Sequence, residues 1–283
     1  MVVFLNDRFV AEDAALVSIF DRGFLYGDGL FETMRLVNGR PFLWSPHLER
    51  FQRGADSLKL RPPLTSAELR RVAERLVSLN ALSDGVLRLT LSRGRGPRGY
   101  SPKTADHPTL VMSLHPPPPE KARNRTLIIA SLRIPAGDPL SRLKSCNKLL
   151  HVMARGEASD RGADDAILLN ANQEIAEATS SNLFWCSNDS VCTPPLSSGA
   201  LDGITRSAVI ALCSKMGVRC REVTGRPATL RKAAGVFLTN SVDGIVEAST
   251  LDGQRLKRSP LSRQLIHAYR KLLRTPSDGD LIA

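Results

Sequence analysis

The chain has 283 residues, 42% hydrophobic and 24% charged, with 20 Gly and 18 Pro, a balance that supports a sizeable core and excludes disordered, collagen-like and coiled-coil proteins. Its 39 Lys+Arg against 28 Asp+Glu leave a net charge of +11, which favours anionic partners in general, but the basic residues are scattered, with small groups at 93–98 and 121–125, so a nucleic-acid partner is not expected. Asp7, Arg8, Glu12 and Asp13 interrupt the apolar stretches at the start, which fits neither a signal peptide nor a membrane span and implies a cytoplasmic protein without a membrane partner.

A chain of this length divides most readily into two lobes. The first opens with VVFLNDRFV, where Asn6 and Asp7 sit between two apolar runs as a tight hairpin turn. Thr65 and Glu68 form a capping-box signature, and Leu69, Val72, Ala73 and Leu76 recur at helical spacing behind it. The runs 86–92 and 109–114 read as strands, antiparallel neighbours joined by a Gly/Pro/Arg-rich loop. Four prolines at 116–119 cannot donate ladder hydrogen bonds and favour an extended chain, so they mark a linker between a small domain, 1–115, and a larger one, 120–283.

The second domain starts with a strand at 126–134 and a helix over 149–162. A hairpin follows in which AILLN and EIAEATSSNLFWC flank Ala171 and Asn172. Another helix begins at GITRSAVIALCSKMG, with Val209, Leu212, Cys213 and Met216 on one face and Gly217 as its stop. The tail from Thr275 reads as frayed. With no internal repeat and no regular alternation of strand and helix, the fold class is α+β. The five cysteines lack CxxC spacing and a His partner at metal-finger distance, so they are expected to be reduced thiols and no metal site is expected.

Taken singly, the polar motifs decide little. Gly-Asp-Gly at 27–29 permits a turn and lacks the pattern of either a Walker or a dinucleotide loop. His47 and Arg50 share a helix face. Gly203 precedes a helix whose first N–H groups are either a plain cap or a phosphate cradle. Glu177 lies in a strand, either exposed or held against a cation. Lys144 and Lys148 cannot be ranked by spacing.

In order along the chain, DRGFLYGDGLFET (21–33), HLER (47–50), LKSCNKLLHVMARGEA (143–158), DDAILLN…EIAEATSSNLFW (164–185) and LDGITR (201–206) form a set that resembles the fold-type IV, or class IV aminotransferase, group of pyridoxal 5′-phosphate enzymes. The resemblance runs from about Asp21 to about Glu247. It implies a small N-terminal α+β lobe, a larger C-terminal pseudo-barrel lobe and a homodimer. It makes Lys144, in an xKxxN setting with Asn147, the lysine that binds the cofactor and later moves a proton, and Glu177 the acid beneath the pyridine nitrogen. It assigns the phosphate to Arg50, to the backbone of Ile204 and Thr205 and to Ser241, with Leu201 packed on the ring face.

The resemblance also implies substrate contacts. Phe31 and Thr33 fall on the motif, and the loop RGRGPRGYSP (93–102) resembles the corresponding stretch of 4-amino-4-deoxychorismate lyases, which release pyruvate and form 4-aminobenzoate. Arg98 and Tyr100 are then partners for a small anionic, dicarboxylate substrate. Glu32 is also compatible with the branched-chain and D-amino-acid aminotransferases of the same group, the alternative reading. An RNA-binding role for the Arg/Gly loop is the reading from another class, weakened because the segment is short and pinned between strands.

Overall fold

The computed structural model describes residues 1–117, 119, 124–187 and 189–275. Pro118 of the expected linker, residues 121–123 of the basic group and residues 276–283 of the expected frayed tail lie outside the described residues. Packing divides the chain into two units. The first is Met1–Pro119 with Leu143–Lys148, and the second is Glu120–Arg142 with Leu149–Ala283. A boundary at the prolines alone puts residues 143–148 in the second domain, whereas packing puts them in the first unit.

The first unit contains β1 (Val2–Leu5), β2 (Arg8–Ala11), α1 (Arg22–Tyr26), β3 (Gly29–Val37), β4 (Arg40–Pro41), α2 (Trp44–Leu58), α3 (Ser66–Asn80), β5 (Gly85–Ser92) and β6 (Thr109–His115). The strands form one sheet in the order β2-β1-β6-β5-β3-β4, and β5 and β6 are the antiparallel neighbours expected. Strand alternation decides what each face carries. Leu30, Met34, Leu36, Leu87, Leu89, Leu91, Leu110, Met112 and Leu114 point inward onto Trp44, Leu48 and Phe51 of α2 and Leu69, Ala73 and Leu76 of α3. The opposite face carries the half-buried Phe31, Thr33, Arg35, Arg88 and Thr90. Each fully buried leucine contributes about 1.5–3 kcal/mol. The expected capping box starts α3: Thr65 Oγ1 accepts from Glu68 N–H at 3.3 Å and Thr65 N–H donates to Glu68 Oε2 at 2.8 Å.

Because β4 pairs only with Leu36 and Val37, the first half of β3 has an open edge. Residues 143–148 fill it. Phe31 N–H donates to the Lys144 carbonyl and Cys146 N–H to the Gly29 carbonyl, both at 2.9 Å.

The second unit contains β7 (Asn124–Ile134), α4 (Leu149–Asp160), β8 (Asp165–Asn170), β9 (Ile175–Ala178), β10 (Asn182–Ser187), β11 (Ser190–Thr193), α5 (Ile204–Lys215), β12 (Arg219–Glu222), α6 (Pro227–Lys232), β13 (Gly235–Asn240), β14 (Gly244–Leu251), β15 (Gln254–Arg255) and α7 (Pro260–Arg274). Its sheet runs β12-β11-β10-β13-β14-β7-β8-β9, with β15 on β14. The segment read as one strand after the 171–172 turn is two, β9 and β10, separated by residues 179–181. Four strands lie between them in the sheet, so a flat sheet would hold them about 24 Å apart. Three linking residues span at most about 14 Å. The sheet therefore curls into a half-barrel, as the pseudo-barrel expectation required. The helix expected over 149–162 stops at Asp160, and the one expected from Gly203 runs from Ile204 to Lys215 with Gly217 at positive φ just beyond it. All five cysteines are free thiols.

Candidate active site

In the first unit, α1 and the turn behind it are built around two aspartates. Asp21 caps α1, accepting from Gly23 N–H at 2.7 Å, and its second oxygen accepts from the hydroxyls of Ser92 and Thr109. Gly27 ends the helix at φ 67°, where a Cβ would press at 3.2 Å on the backbone of Asn147. Asp28 then pairs with Arg22 at 2.9 Å and Arg93 at 2.8 Å, and those two guanidiniums hold its pKa below the ordinary carboxylate value against the opposing effect of burial. The Gly-Asp-Gly segment is thus a turn whose acid anchors two arginines.

That anchoring positions the 93–102 loop. Arg22 donates to the carbonyls of Gly99 and Tyr100 at 2.8 and 3.0 Å, and Tyr100 stacks edge-on to Tyr26 with centroids 5.5 Å apart. Tyr100 is 87% exposed and Arg98 is exposed as well.

Lys144 lies beside β3 on the edge segment. Its Nζ is 4.6 Å from the centroid of the Phe31 ring, and the Arg88 guanidinium is 3.9 Å from the same centroid. Thr33 stands opposite Arg88 in the β3–β5 register. Lys144, Phe31 and Thr33 are therefore brought together, and Arg88 joins them. Burial pushes the Arg88 pKa below its ordinary value, and no carboxylate pairs with this guanidinium among the described residues. Two strand positions further along β3, Arg35 has a buried Nε without a hydrogen-bond partner among the described residues. Arg35 and Arg88 were missed in the sequence, although their alternation with inward leucines was a usable signal.

On the inward face of the same strand, Glu32 is 1% exposed. Arg50 grips it with two bonds, Nε to Oε1 at 2.8 Å and Nη2 to Oε2 at 2.7 Å, and His47 Nδ1 is 2.7 Å from Oε2. Burial opposes the Glu32 charge, but the charges and hydrogen bonds of Arg50 and His47 outweigh it and hold the pKa at about 2. For His47, burial outweighs the attraction of Glu32, so its pKa falls below the ordinary value.

The second unit holds the other candidates. Glu177 accepts at Oε2 from Leu201 N–H at 2.9 Å, and its Oε1 is 3.2 Å from His151 Nε2. Asn182 Nδ2 donates to the Leu201 carbonyl at 2.8 Å, so the backbone of Leu201 is fixed on both sides. Helix α5 starts from Gly203 with no side-chain cap on its N–H groups, and Ile204 and Thr205 are buried. A Cβ at Gly203 would collide with Asn182 Oδ1. Thr239, opposite Asn182 in the β10–β13 register, has a buried hydroxyl with no partner among the described residues. Ser241 follows β13 in a turn where Asn240 Oδ1 accepts from the N–H groups of Val242 and Asp243 at 2.9 and 2.7 Å. Among the described residues, no three His, Cys, Asp or Glu side chains are placed to hold a metal ion, and no helix is long and apolar enough to cross a membrane.

The sequence is 35% identical over 259 residues to a protein of Methanocaldococcus jannaschii provisionally named a branched-chain-amino-acid aminotransferase, covering 90% of this chain and 89% of that one. It is 31% identical over 254 residues to the aminodeoxychorismate lyase of Bacillus subtilis, covering 89% and 87%. Against the D-alanine aminotransferase of Bacillus licheniformis the identity is 30% over 260 residues, covering 90% of each. The crystal structure of a branched-chain aminotransferase from Thermoproteus uzoniensis with norvaline superimposes with a TM-score of 0.91 at 27% identity, covering 99% of this chain and 97% of that one. The family model for amino-transferase class IV matches residues 29–251, and the chain belongs to that family of pyridoxal 5′-phosphate-dependent enzymes.

Proposed function

We propose that the chain acts on the amine-bearing carbon of a small anionic substrate, and that its reaction is the cleavage of 4-amino-4-deoxychorismate to 4-aminobenzoate and pyruvate. The observation that carries the reading is Arg88, a half-buried guanidinium with no carboxylate partner among the described residues, sharing the Phe31 ring with Lys144. A cation in that position favours a carboxylate brought by the substrate. Arg35 on the same face and Arg98 on the loop would supply further charge for a substrate with two.

The second unit suits a phosphorylated pyridine. An uncapped helix start at a glycine that excludes a Cβ, with the orphaned Thr239 hydroxyl nearby in the sheet, offers donors to a dianion. Glu177, whose Oε2 accepts from Leu201 N–H, offers carboxylate oxygens to a ring N–H. Ile204, Thr205 and Ser241 would hold the phosphate, Leu201 the ring face, and Lys144 the aldehyde carbon; Arg50, expected at the phosphate, has its Nε and Nη2 committed to Glu32. When bound, the cofactor supplies a ring that accepts the electron pair released at the substrate carbon. Lys144 Nζ takes the proton from that carbon, the bond to the enolpyruvyl oxygen breaks, and the substrate ring becomes aromatic. The proton passes to enolpyruvate, completing pyruvate.

The names of the Methanocaldococcus and Bacillus licheniformis relatives favour a second reading, transfer of the amine to a keto acid. Purified holoprotein is assayed for 4-aminobenzoate and pyruvate from aminodeoxychorismate, and for keto acids from D-alanine or L-leucine with 2-oxoglutarate. We expect 4-aminobenzoate with equimolar pyruvate; keto acids alone would assign the chain to the aminotransferases. Lys144→Ala abolishes either activity, whereas Lys148→Ala retains it.

A further inference from the structure

We propose that His151 is a positioning residue for Glu177, an inference that rests on Glu177 being the acid that meets the ring nitrogen of the cofactor. The contact follows from how α4 sits on the sheet. Ala154 and Ala158 are fully buried against Ala166, Leu168 and Ala176, and these small side chains let the helix backbone approach β8 and β9 closely. Arg155, one turn beyond His151, pairs with Asp165 on β8 at 2.9 Å. Asp165 in turn accepts from the Thr179 hydroxyl and backbone N–H. The helix is thereby fastened at a second point, and His151 Nε2 comes to 3.2 Å from Glu177 Oε1.

Which ring nitrogen carries the proton follows from the surroundings. Nδ1 of His151 is buried and has no hydrogen-bond partner among the described residues. A proton there would be an unpaired buried donor and would turn the Nε2 lone pair toward a carboxylate oxygen, so both ends would be unfavourable. With the proton on Nε2, the imidazole donates to Oε1 while Leu201 N–H donates to Oε2. Each carboxylate oxygen then has one donor within the protein, so the group is oriented from both sides and a ring N–H would meet its remaining lone pairs. Without His151, Glu177 keeps the Leu201 bond alone and can rotate about it.

The test uses the full chain with and without added pyridoxal phosphate. In cofactor-free protein labelled with 15N-histidine, the His151 signals should show the proton on Nε2, and Glu177→Gln should shift them; a proton on Nδ1 in the parent protein would overturn the proposal. In holoprotein, His151→Leu should displace the visible absorption band of the bound cofactor and lower kcat about tenfold at unchanged KM, the value of one charge-assisted hydrogen bond. His151→Gln, whose Nε2 amide keeps a donor near the same place, should restore both to within about twofold. If Glu177→Gln displaces the band and His151→Leu leaves it in place, the role of His151 is refuted while that of Glu177 stands. If Glu177→Gln leaves the band in place, the reading of Glu177 fails and takes this proposal with it.

Discussion

Glu32 interrupts a row of aliphatic side chains on the inward face of β3, and its surroundings make that position tolerable. Arg50 contributes two bonds and His47 one, so the carboxylate is matched oxygen by oxygen inside the core. The pKa directions set a pH dependence. His47 has a folded value below 6.5, so stability is lost as pH falls through that ordinary value and the buried imidazole must be protonated. Glu32 has a folded value of about 2 against an ordinary 4.5; its contribution is complete above pH 4.5 and disappears as pH falls toward 2. Denaturant titrations from pH 7 to 2.5 should follow this course. Glu32→Gln should flatten the lower limb and cost about 3 kcal/mol at pH 7, because it leaves Arg50 buried without its counter-charge; an unaltered slope between pH 4.5 and 2.5 would count against the triad as the acid-sensitive element. The sequence made His47 and Arg50 visible as helix neighbours, but the object of their attention was hidden. A glutamate in a strand has two faces available, and only the register with β5 assigns it to the core.

At the scale of elements, local signals were legible wherever a side chain bonds to its own neighbourhood. The capping box at Thr65 and Glu68 is such a case, and Thr65→Ala should lower stability by about 1 kcal/mol, seen as a reduced melting temperature. The β9–β10 corner was not legible, because Glu174 through Cys186 reads as a continuous run and only closure of the half-barrel forces a turn at residues 179–181. The start of α5 belongs between these cases. Its glycine was plain in the sequence, but the reason for it is Asn182, one strand away, which occupies the space a methyl would need. Gly203→Ala should push Asn182 from the Leu201 carbonyl, cost about 1–3 kcal/mol through overpacking, and raise the dissociation constant for pyridoxal phosphate, measured by fluorescence titration. Full retention of affinity in a folded variant would remove the helix start from the phosphate site.

For the whole molecule, the family and its mixed architecture could be read from ordered motifs, whereas the membership of residues 143–148 in the first unit could not. Nothing in RLKSCNKLL distinguishes a segment that stays with its sequence neighbours from one that lies along a distant strand; the missing partner of β3 does, since β4 is only two residues long. Cys146→Pro removes the N–H that bonds the Gly29 carbonyl. Hydrogen exchange should then accelerate at Phe31, whose amide depends on the same pairing, while amides of β13 keep their protection. Equal acceleration in both would indicate general destabilisation instead.

The borrowed edge also imposes an order on biosynthesis. A ribosome delivers residues 1–119 first, and for as long as it takes to make the next two dozen the nascent sheet exposes the very row of amides and carbonyls that Lys144 and Cys146 will later cover. Any delay before residues 143–148 become available therefore prolongs the presentation of a sticky strand to chaperones and to other newborn chains.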